Sequence, residues 1–396
     1  PNSYVNTKRS FIRFLLKTSS NGVLVPQANV FRRMLLKSSR GQVLEDIDNY
    51  DMLCRIQQNL KSEATLKGEA FSSKDIRAVD VAKNFGNMTN TTGQNMRHHL
   101  MSGILGDHQE FLIPLSSMNA SSGYCFQLEL FLNDDAKVVG STNTSPATYS
   151  LEEVSYDMEL MEVSDAIQAD INSELSSGSQ IPLPYKSWRS HNTALSGAGT
   201  QHKVDIAESA INAEKIYSVV VPQSWTQKQS VDATKYLGTD YDPYTFYGGR
   251  KKLSASGAFT SPTDYVTKYN WRYGSTYYPS APIELNQDST VALETTLSTF
   301  DLKGNELPFM TAQETDGSGA TNRFESRDFI LAHNFNKTPE KMRAGLNLAN
   351  SGAPVSLSLH FNSNPNASVA KAIQTFIESS NTLYIKPDGA SSLVAN

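Results

Sequence analysis

Alternation with period two is the clearest regularity along the chain. In YCFQLELFLN, residues 124–133, Tyr124, Phe126, Leu128, Leu130 and Leu132 fall on one face while Gln127 and Glu129 fall on the other. That is the pattern of a strand with one side buried. LEEVSYDMELMEV repeats it, with Val154, Tyr156, Met158 and Leu160 expected inward, and VSLSLHF sets Val355, Leu357, Leu359 and Phe361 against Ser356, Ser358 and His360. Weaker strand patterns cover residues 29–37, 110–115, 181–188, 215–221, 268–274, 282–285, 292–300, 328–335 and 382–387. Clusters rich in Gly, Ser, Asn and Pro, such as SMNASSG, GSTNTSPAT and ETDGSGATN, separate them. Many short strands divided by turn chemistry predict an antiparallel sandwich or barrel.

Helical spacing is rarer. LEDIDNYDMLCRIQQNL brings Ile47, Tyr50, Leu53, Cys54 and Leu60 near one side, and ASVAKAIQTFIES puts Val369, Ile373, Phe376 and Ile377 on a second apolar stripe. Both are predicted as helices. SDAIQADINSELSSG, residues 164–178, opens on Ser164 as a cap and closes on Gly178, which are helix start and stop signals. It is mostly polar and stands between two sets of strands, so it marks the boundary between two halves. The opening TKRSFIRFLLK also reads as a helix, with Arg9, Arg13 and Lys17 at i, i+4 and i+8 beside Phe11, Ile12, Phe14 and Leu15. As a strand it would share Phe11, Arg13 and Leu15 on one face, a poor one.

Charge sharpens the interest of that opening. Residues 1–40 hold eight Lys or Arg and no acid, while the whole chain carries a formal charge of −5. The other 356 residues hold 27 basic and 40 acidic side chains, a net of −13. A basic amphipathic segment on an acidic body suits contact with an anionic surface, lipid or nucleic acid. The plainer readings are a solvated terminus or a contact with a neighbouring subunit. At 396 residues, 39% of them hydrophobic, the chain fits about two ordinary domains. No apolar run approaches the roughly 18 residues of a membrane span, and Arg13 interrupts FIRFLLK, so no signal peptide is expected and synthesis in the cytoplasm is.

Catalytic and metal signatures are weak. His98 and His99 are adjacent, with Asp107 and His108 nearby, and adjacent side chains diverge in a strand or a helix, so no zinc pair is expected. DIDNYD has Asp51 where a calcium loop needs Gly, and reads instead as a helix start with acids near the positive end of the dipole. No phosphate loop, nucleophile elbow or dinucleotide fingerprint occurs. Cys54 and Cys125 lie in apolar segments and read as buried small hydrophobes. No cofactor and no catalytic residue are assigned.

Two aromatic-rich stretches stand out: DYDPYTFYGGRKK, residues 240–252, and YNWRYGSTYYPSAPI, with five aromatics from Tyr269 to Tyr278. Tyr beside basic residues is the chemistry of a nucleic acid or sugar site. The plainer and preferred reading is an ordered loop anchored at a subunit contact. The residues in question are Tyr244, Phe246, Tyr247, Trp271, Tyr277 and Tyr278.

The order of these segments resembles one family. A basic opening is followed by strands, RGQVLEDIDNYDMLCRIQQNL, EFLIPLSSMNASSGYCFQLELFLN, YSLEEVSYDMELMEVSDAI and WRYGSTYYPSAPIEL. This is similar to the double jelly-roll major capsid proteins of tailless icosahedral viruses, the lineage of adenovirus hexon and the coats of membrane-containing bacteriophages. The resemblance covers residues 9–386 in order and texture. It implies an all-β chain of two eight-stranded antiparallel jelly rolls side by side with a few short helices. The expected layout is a basic arm at 1–20, a first roll at 21–170 and a second roll with long loops at 171–396. It implies a virion protein without enzymatic activity, forming homotrimeric, pseudo-hexagonal capsomers that meet neighbouring capsomers and minor capsid or penton proteins. Lys8, Arg9, Arg13 and Lys17 would then face inner membrane lipid or packaged genome, and the aromatics would serve intersubunit or tower-loop contacts. The long connections 86–109, 222–262 and 311–324 would supply those contacts. The competing reading is a carbohydrate- or receptor-binding two-domain β-sandwich, a phage spike or lectin, stacking sugars on Tyr244, Phe246, Tyr247 and Trp271. A polysaccharide hydrolase would need a pair of carboxylates, which nothing in the sequence singles out.

Overall fold

The computed structural model describes residues 3–19, 22–24, 30–62, 65, 87–88, 93–106, 108–115, 125–141, 148–226, 246–253, 259–285, 289–302, 308–316, 319–335, 345–349, 354–367, 369–386 and 391–394. In the first half the principal strands are β1 (Ser3–Thr18), β2 (Phe31–Ser38), β3 (Val43–Asp48), β4 (Gln94–His98), β5 (Phe126–Leu132) and β6 (Tyr149–Glu162), with helix α1 (Tyr50–Leu60) after β3. They build two antiparallel sheets, ordered β6-β1-β4 and β5-β2-β3. Helix α2 (Asp165–Ser176) leads into the second half. There β7 (Ile181–Ala194), β8 (Gln201–Ile206), β9 (Ala213–Pro222), β10 (Val266–Tyr273) and β11 (Thr276–Glu284) precede helix α3 (Thr290–Thr299). The strands β12 (Leu331–Asn334), β13 (Val355–Phe361) and β14 (Lys371–Ile385) follow it.

The second-half sheets run β7-β14-β9-β12 and β8-β13-β10-β11. Apart from the β10-β11 hairpin, successive strands therefore pass back and forth between two facing sheets, the winding of a jelly roll. The first half repeats that winding. β6-β1-β4 has the order of β14-β9-β12, β5-β2-β3 that of β13-β10-β11, and α1 follows β3 as α3 follows β11. The chain is thus all-β in architecture, a double jelly roll with few helices, as expected. One continuous apolar core runs through both rolls, from Phe14, Met34 and Ile47 to Val220, Trp271, Leu357 and Ile377.

The opening segment is a strand and not a helix. From Ser10 onward its buried positions are Ser10, Ile12, Phe14, Leu16 and Thr18, alternating with Arg13 and Lys17. The face of Phe11, Arg13 and Leu15 is poor, but the opposite face carries Ile12, Phe14 and Leu16 between the small polar residues Ser10 and Thr18, and burial of that face decides the conformation. Residues 3–18 are accordingly an inner strand of the first roll and not a separate arm.

From Lys371 onward ASVAKAIQTFIES also forms a strand where a helix was expected. β14 is buried continuously from Lys371 to Ser380, so its polar residues carry no solvent-facing alternation. They bond instead: Gln374 Nε2 donates to Ser190 Oγ at 2.7 Å, Ser218 and Thr375 hydroxyls meet at 2.6 Å, and Ser187 and Ser379 at 3.0 Å. A strand buried on both faces loses the period-two signal. Conversely ALETTLSTF, expected as a strand, is α3. Its buried residues, Ala292, Thr296 and Thr299, sit at helical spacing. The threonine hydroxyls donate to carbonyls four residues back, Thr296 Oγ1 to Ala292 at 2.9 Å and Thr299 Oγ1 to Thr295 at 2.8 Å. LEDIDNYDMLCRIQQNL divides into β3 and α1. The α2 helix forms as expected, with Ser164 Oγ accepting from Ile167 N at 3.5 Å.

Candidate assembly surfaces

The basic residues of the opening strand meet acids on β6. Arg9 lies 3.1 Å from Glu159, Arg13 3.5 Å from Asp157 and Lys17 2.7 Å from Glu152. On the adjoining sheet Arg33 grips Asp46 through two bonds of 2.8 and 2.7 Å, Lys37 meets Glu129 at 2.6 Å and Arg32 meets Asp48 at 3.5 Å. Charge that is segregated along the sequence is therefore interleaved in space, and the charge argument for a lipid- or genome-facing stripe at Arg9, Arg13 and Lys17 falls away. Exposed pairs of this kind contribute only about 0–1 kcal/mol each. Their consequence is local neutrality, with Lys8 exposed beside them.

A polar and apolar seam locks the two rolls together. Helix α1 and its flanks reach across it: Asn49 Nδ2 donates to Gln374 Oε1 at 2.9 Å, Gln57 Nε2 to Tyr217 OH at 3.3 Å and Asn59 Nδ2 to Asp328 Oδ1 at 2.8 Å. The Arg55 guanidinium stacks 4.2 Å from the Phe246 ring centre, and Lys137 Nζ donates to the Trp225 carbonyl at 2.8 Å. Asn49 adopts the left-handed conformation at the start of α1, φ 51°, and spends its side chain on the seam instead of on a cap. The apolar residues Tyr50 and Leu53 of the same helix are fully buried.

Below that helix the carboxylate of Glu45 accepts from the Ser102 hydroxyl and from Gly103 N at 2.8 Å. Burial pushes Glu45 up to about 7 against these hydrogen bonds, and pushes Asp51 up to about 6 against Lys137 and Asn133. Both folded values exceed the ordinary carboxylate values, so the folded state holds protons that the unfolded state has released. The stabilisation is complete at pH below the ordinary values and is lost as pH rises through about 6 and then about 7. For Glu45 the change is on the order of 3 kcal/mol. Urea titrations are expected to show stability falling between pH 5 and pH 8, and Glu45→Gln, which is neutral at every pH, should remove most of that slope. A variant whose slope matches the parent's would exclude Glu45 as its source.

Beside the seam lies a cleft of about 740 Å³ lined by residues that include Glu45, Asp46, Arg189, His191 and Glu208. Its acids are engaged: Glu208 lies 2.9 Å from His191 Nε2 and 3.1 Å from Arg189. Burial pushes Glu208 up, but the His191 hydrogen bond and the Arg189 charge outweigh it and hold the carboxyl below its ordinary value. Among the described residues no three His, Cys, Asp or Glu side chains gather as a metal site. His98 is in the core, 3.0 Å from the Tyr50 hydroxyl, and burial pushes it down to about 3. Cys54 is buried and Cys125 half-buried, both as free thiols.

The aromatics do not form one surface. Trp271 is completely buried on β10 and Phe246 nearly so, so both are core residues and neither offers a face to a partner or a sugar. Tyr247 is half-buried, with Lys371 Nζ 5.3 Å from its ring centre. Tyr278 packs against His333 and Phe335, at 5.4 and 5.9 Å between ring centres. Only Tyr277 of the described set is well exposed, with Arg272 5.4 Å over its ring. Tyr244 lies outside the described residues, as does most of the 222–262 connection. The surface that the sequence reading missed is β6. Val154, Met158 and Leu160, expected inward, are 60%, 48% and 53% exposed.

No known family profile matches the chain, and no curated protein matches its sequence. Solved structures do match. VP54 of PBCV-1, fitted into a reconstruction of the virophage Sputnik, aligns over 100% of this chain and 91% of its own at 11% identity, with a TM-score of 0.62. The mavirus major capsid protein aligns over 98% of this chain and 83% of its own at 9% identity, with a TM-score of 0.51. The Sputnik virophage structure determined by electron microscopy aligns over the same shares at 10% identity and the same TM-score. The similarity at these identities is one of fold, and the fold is the double jelly roll.

Proposed function

We propose that this chain, built on the double jelly-roll fold it shares with VP54 and the mavirus capsid protein, is itself the major capsid protein of an icosahedral virus. The observation that carries the reading is the repeat within the chain: two rolls of one winding, joined by a seam rich in buried hydrogen bonds. A chain with two like lobes turns a three-fold assembly into a six-lobed one, and closed rotational assemblies are the ordinary state of soluble homo-oligomers. Three copies then make a pseudo-hexagonal block that tiles a shell, with neighbouring capsomers and minor or vertex proteins meeting its rim. The work done is mechanical, and its location is the virion. Burial of Trp271 and Phe246 argues against the sugar-stacking alternative.

Sedimentation velocity across a hundredfold range of protein concentration tests this reading. A species of three chains that persists on dilution is expected. A chain that stays monomeric throughout would overturn it.

A further inference from the structure

The two rolls differ at one place. In the second, β7 lies along the outer edge of β14 in a ladder from Ile181 opposite Ile385 to Ala194 opposite Ala372. Likewise β8 lies along β13, from Gln201 opposite His360 to Ile206 opposite Val355. The counterparts of β14 and β13 in the first roll are β6 and β5. Among the described residues β6 pairs only with β1, and β5 only with β2. The first roll thus shows six of the eight strand positions, and the two without a counterpart are neighbours in winding order.

Burial follows the pairing. β14 is buried without a break over ten residues, and β13 is buried at every position but Ser358 and His360. β6 has no fully buried residue from Tyr149 to Glu162, and on β5 Phe131 and Leu132 are 37% and 52% exposed. Register makes the contrast sharper. Val5 is 1% exposed, while Leu160, directly opposite it on β6, is 53% exposed. Long edges with open N–H and C=O groups and apolar side chains beside them are templates for further strands.

We propose that these two edges are the seats of a two-stranded segment of the same polypeptide, entering Ser3 from its N-terminal side, its first strand on β6 and its second on β5. The second roll shows the path. There β7 and β8 run into β9 through the six residues 207–212, and β1 is the counterpart of β9. A segment upstream of Ser3 reaches both edges by that winding without crossing any connection. A second copy of the chain fits less well. Joining β6 to β6 about a two-fold axis would cover one edge and leave β5, which lies in the other sheet, uncovered. By the lengths of β7 and β8, the segment carries strands of about fourteen and about six residues with alternating apolar side chains. The inference rests on sheet edges and stands apart from the shell reading.

Amide hydrogen exchange on two proteins tests it: the 396-residue chain, and the product of the complete reading frame through Asn396. In the shorter chain, outward amides of β6 and β5 are expected to exchange freely while those of β14 and β13 are protected. In the longer product the β6 and β5 amides gain protection equal to that of β14 and β13. Leu160→Asp, tolerated in the shorter chain, then destabilises the longer one. Three results would overturn the proposal. One is a reading frame that adds no strand-forming residues ahead of Pro1. Another is edge protection in the shorter chain that grows with concentration, which assigns the edges to a second copy. The last is protection at every concentration, which assigns them to a segment already within the chain. Trimer formation by either protein is a separate outcome and does not bear on these.

Discussion

Replacing Asp328 with Ala is expected to cost about 3–5 kcal/mol, the range for removing one partner of a buried ion pair. Asp328 is completely buried, accepts from Arg323 Nε at 3.0 Å, and accepts from Asn59 Nδ2 at 2.8 Å. Arg323 belongs to the second roll and Asn59 to α1 of the first, so a single carboxylate balances a buried cation and ties the seam. The Arg323 guanidinium also stacks 4.3 Å from the Phe309 ring centre, which holds its position without neutralising its charge. Asp328→Asn keeps the shape and one acceptor oxygen and should fall between parent and alanine variant. Urea denaturation midpoints measure the series. An alanine variant within about 1 kcal/mol of the parent would show that water or rearrangement replaces the carboxylate.

Gly103→Val should be as damaging, for a steric reason. A side chain at Gly103 would place its first carbon 1.5 Å from the Lys186 carbonyl oxygen and 2.9 Å from the Tyr185 ring. Lys186 cannot withdraw, because it is paired with Ser380 in the β7-β14 ladder and its ammonium is bonded to Glu214. The loop 102–106 must therefore leave β7, and with it the bonds from Ser102 and Gly103 to Glu45. The expected loss is roughly 3 kcal/mol or more, the upper end for overpacking, together with new proteolytic cleavage near residues 99–108. Gly199→Ala is the control, since its nearest atoms would be 3.8 Å away. A valine variant as stable as that control would mean that the rolls do not touch at Gly103.

How much of this was legible in the sequence depended on where each segment is buried. β13 and β5 face a core on one side, so VSLSLHF and FQLELFL alternate and were readable as strands. β14 is buried on both faces from Lys371 to Ser380. Its Gln374, Thr375, Ser379 and Ser380 are buried hydrogen-bonding residues, and the leftover apolar spacing imitated a helix. β1 was legible in principle, for Ile12, Phe14 and Leu16 form a clean face, but the cations at helical spacing outweighed it. The threonines of α3 favour strands by propensity, yet packing against β12 overrides them. Of the candidate surface residues, Trp271 and Phe246 were misplaced because aromatic density marks a core as readily as an interface. Charge segregation along the chain likewise said nothing of charge in space, because β1 and β6 lie far apart in sequence and adjacent in the sheet.

Electron microscopy of the purified protein after concentration shows whether three two-lobed chains close into one block. Two like rolls in each chain, closed by three-fold symmetry, predict particles with a hexagonal outline and six similar lobes. Two-lobed single chains in every view, or rings of any other symmetry, would contradict it.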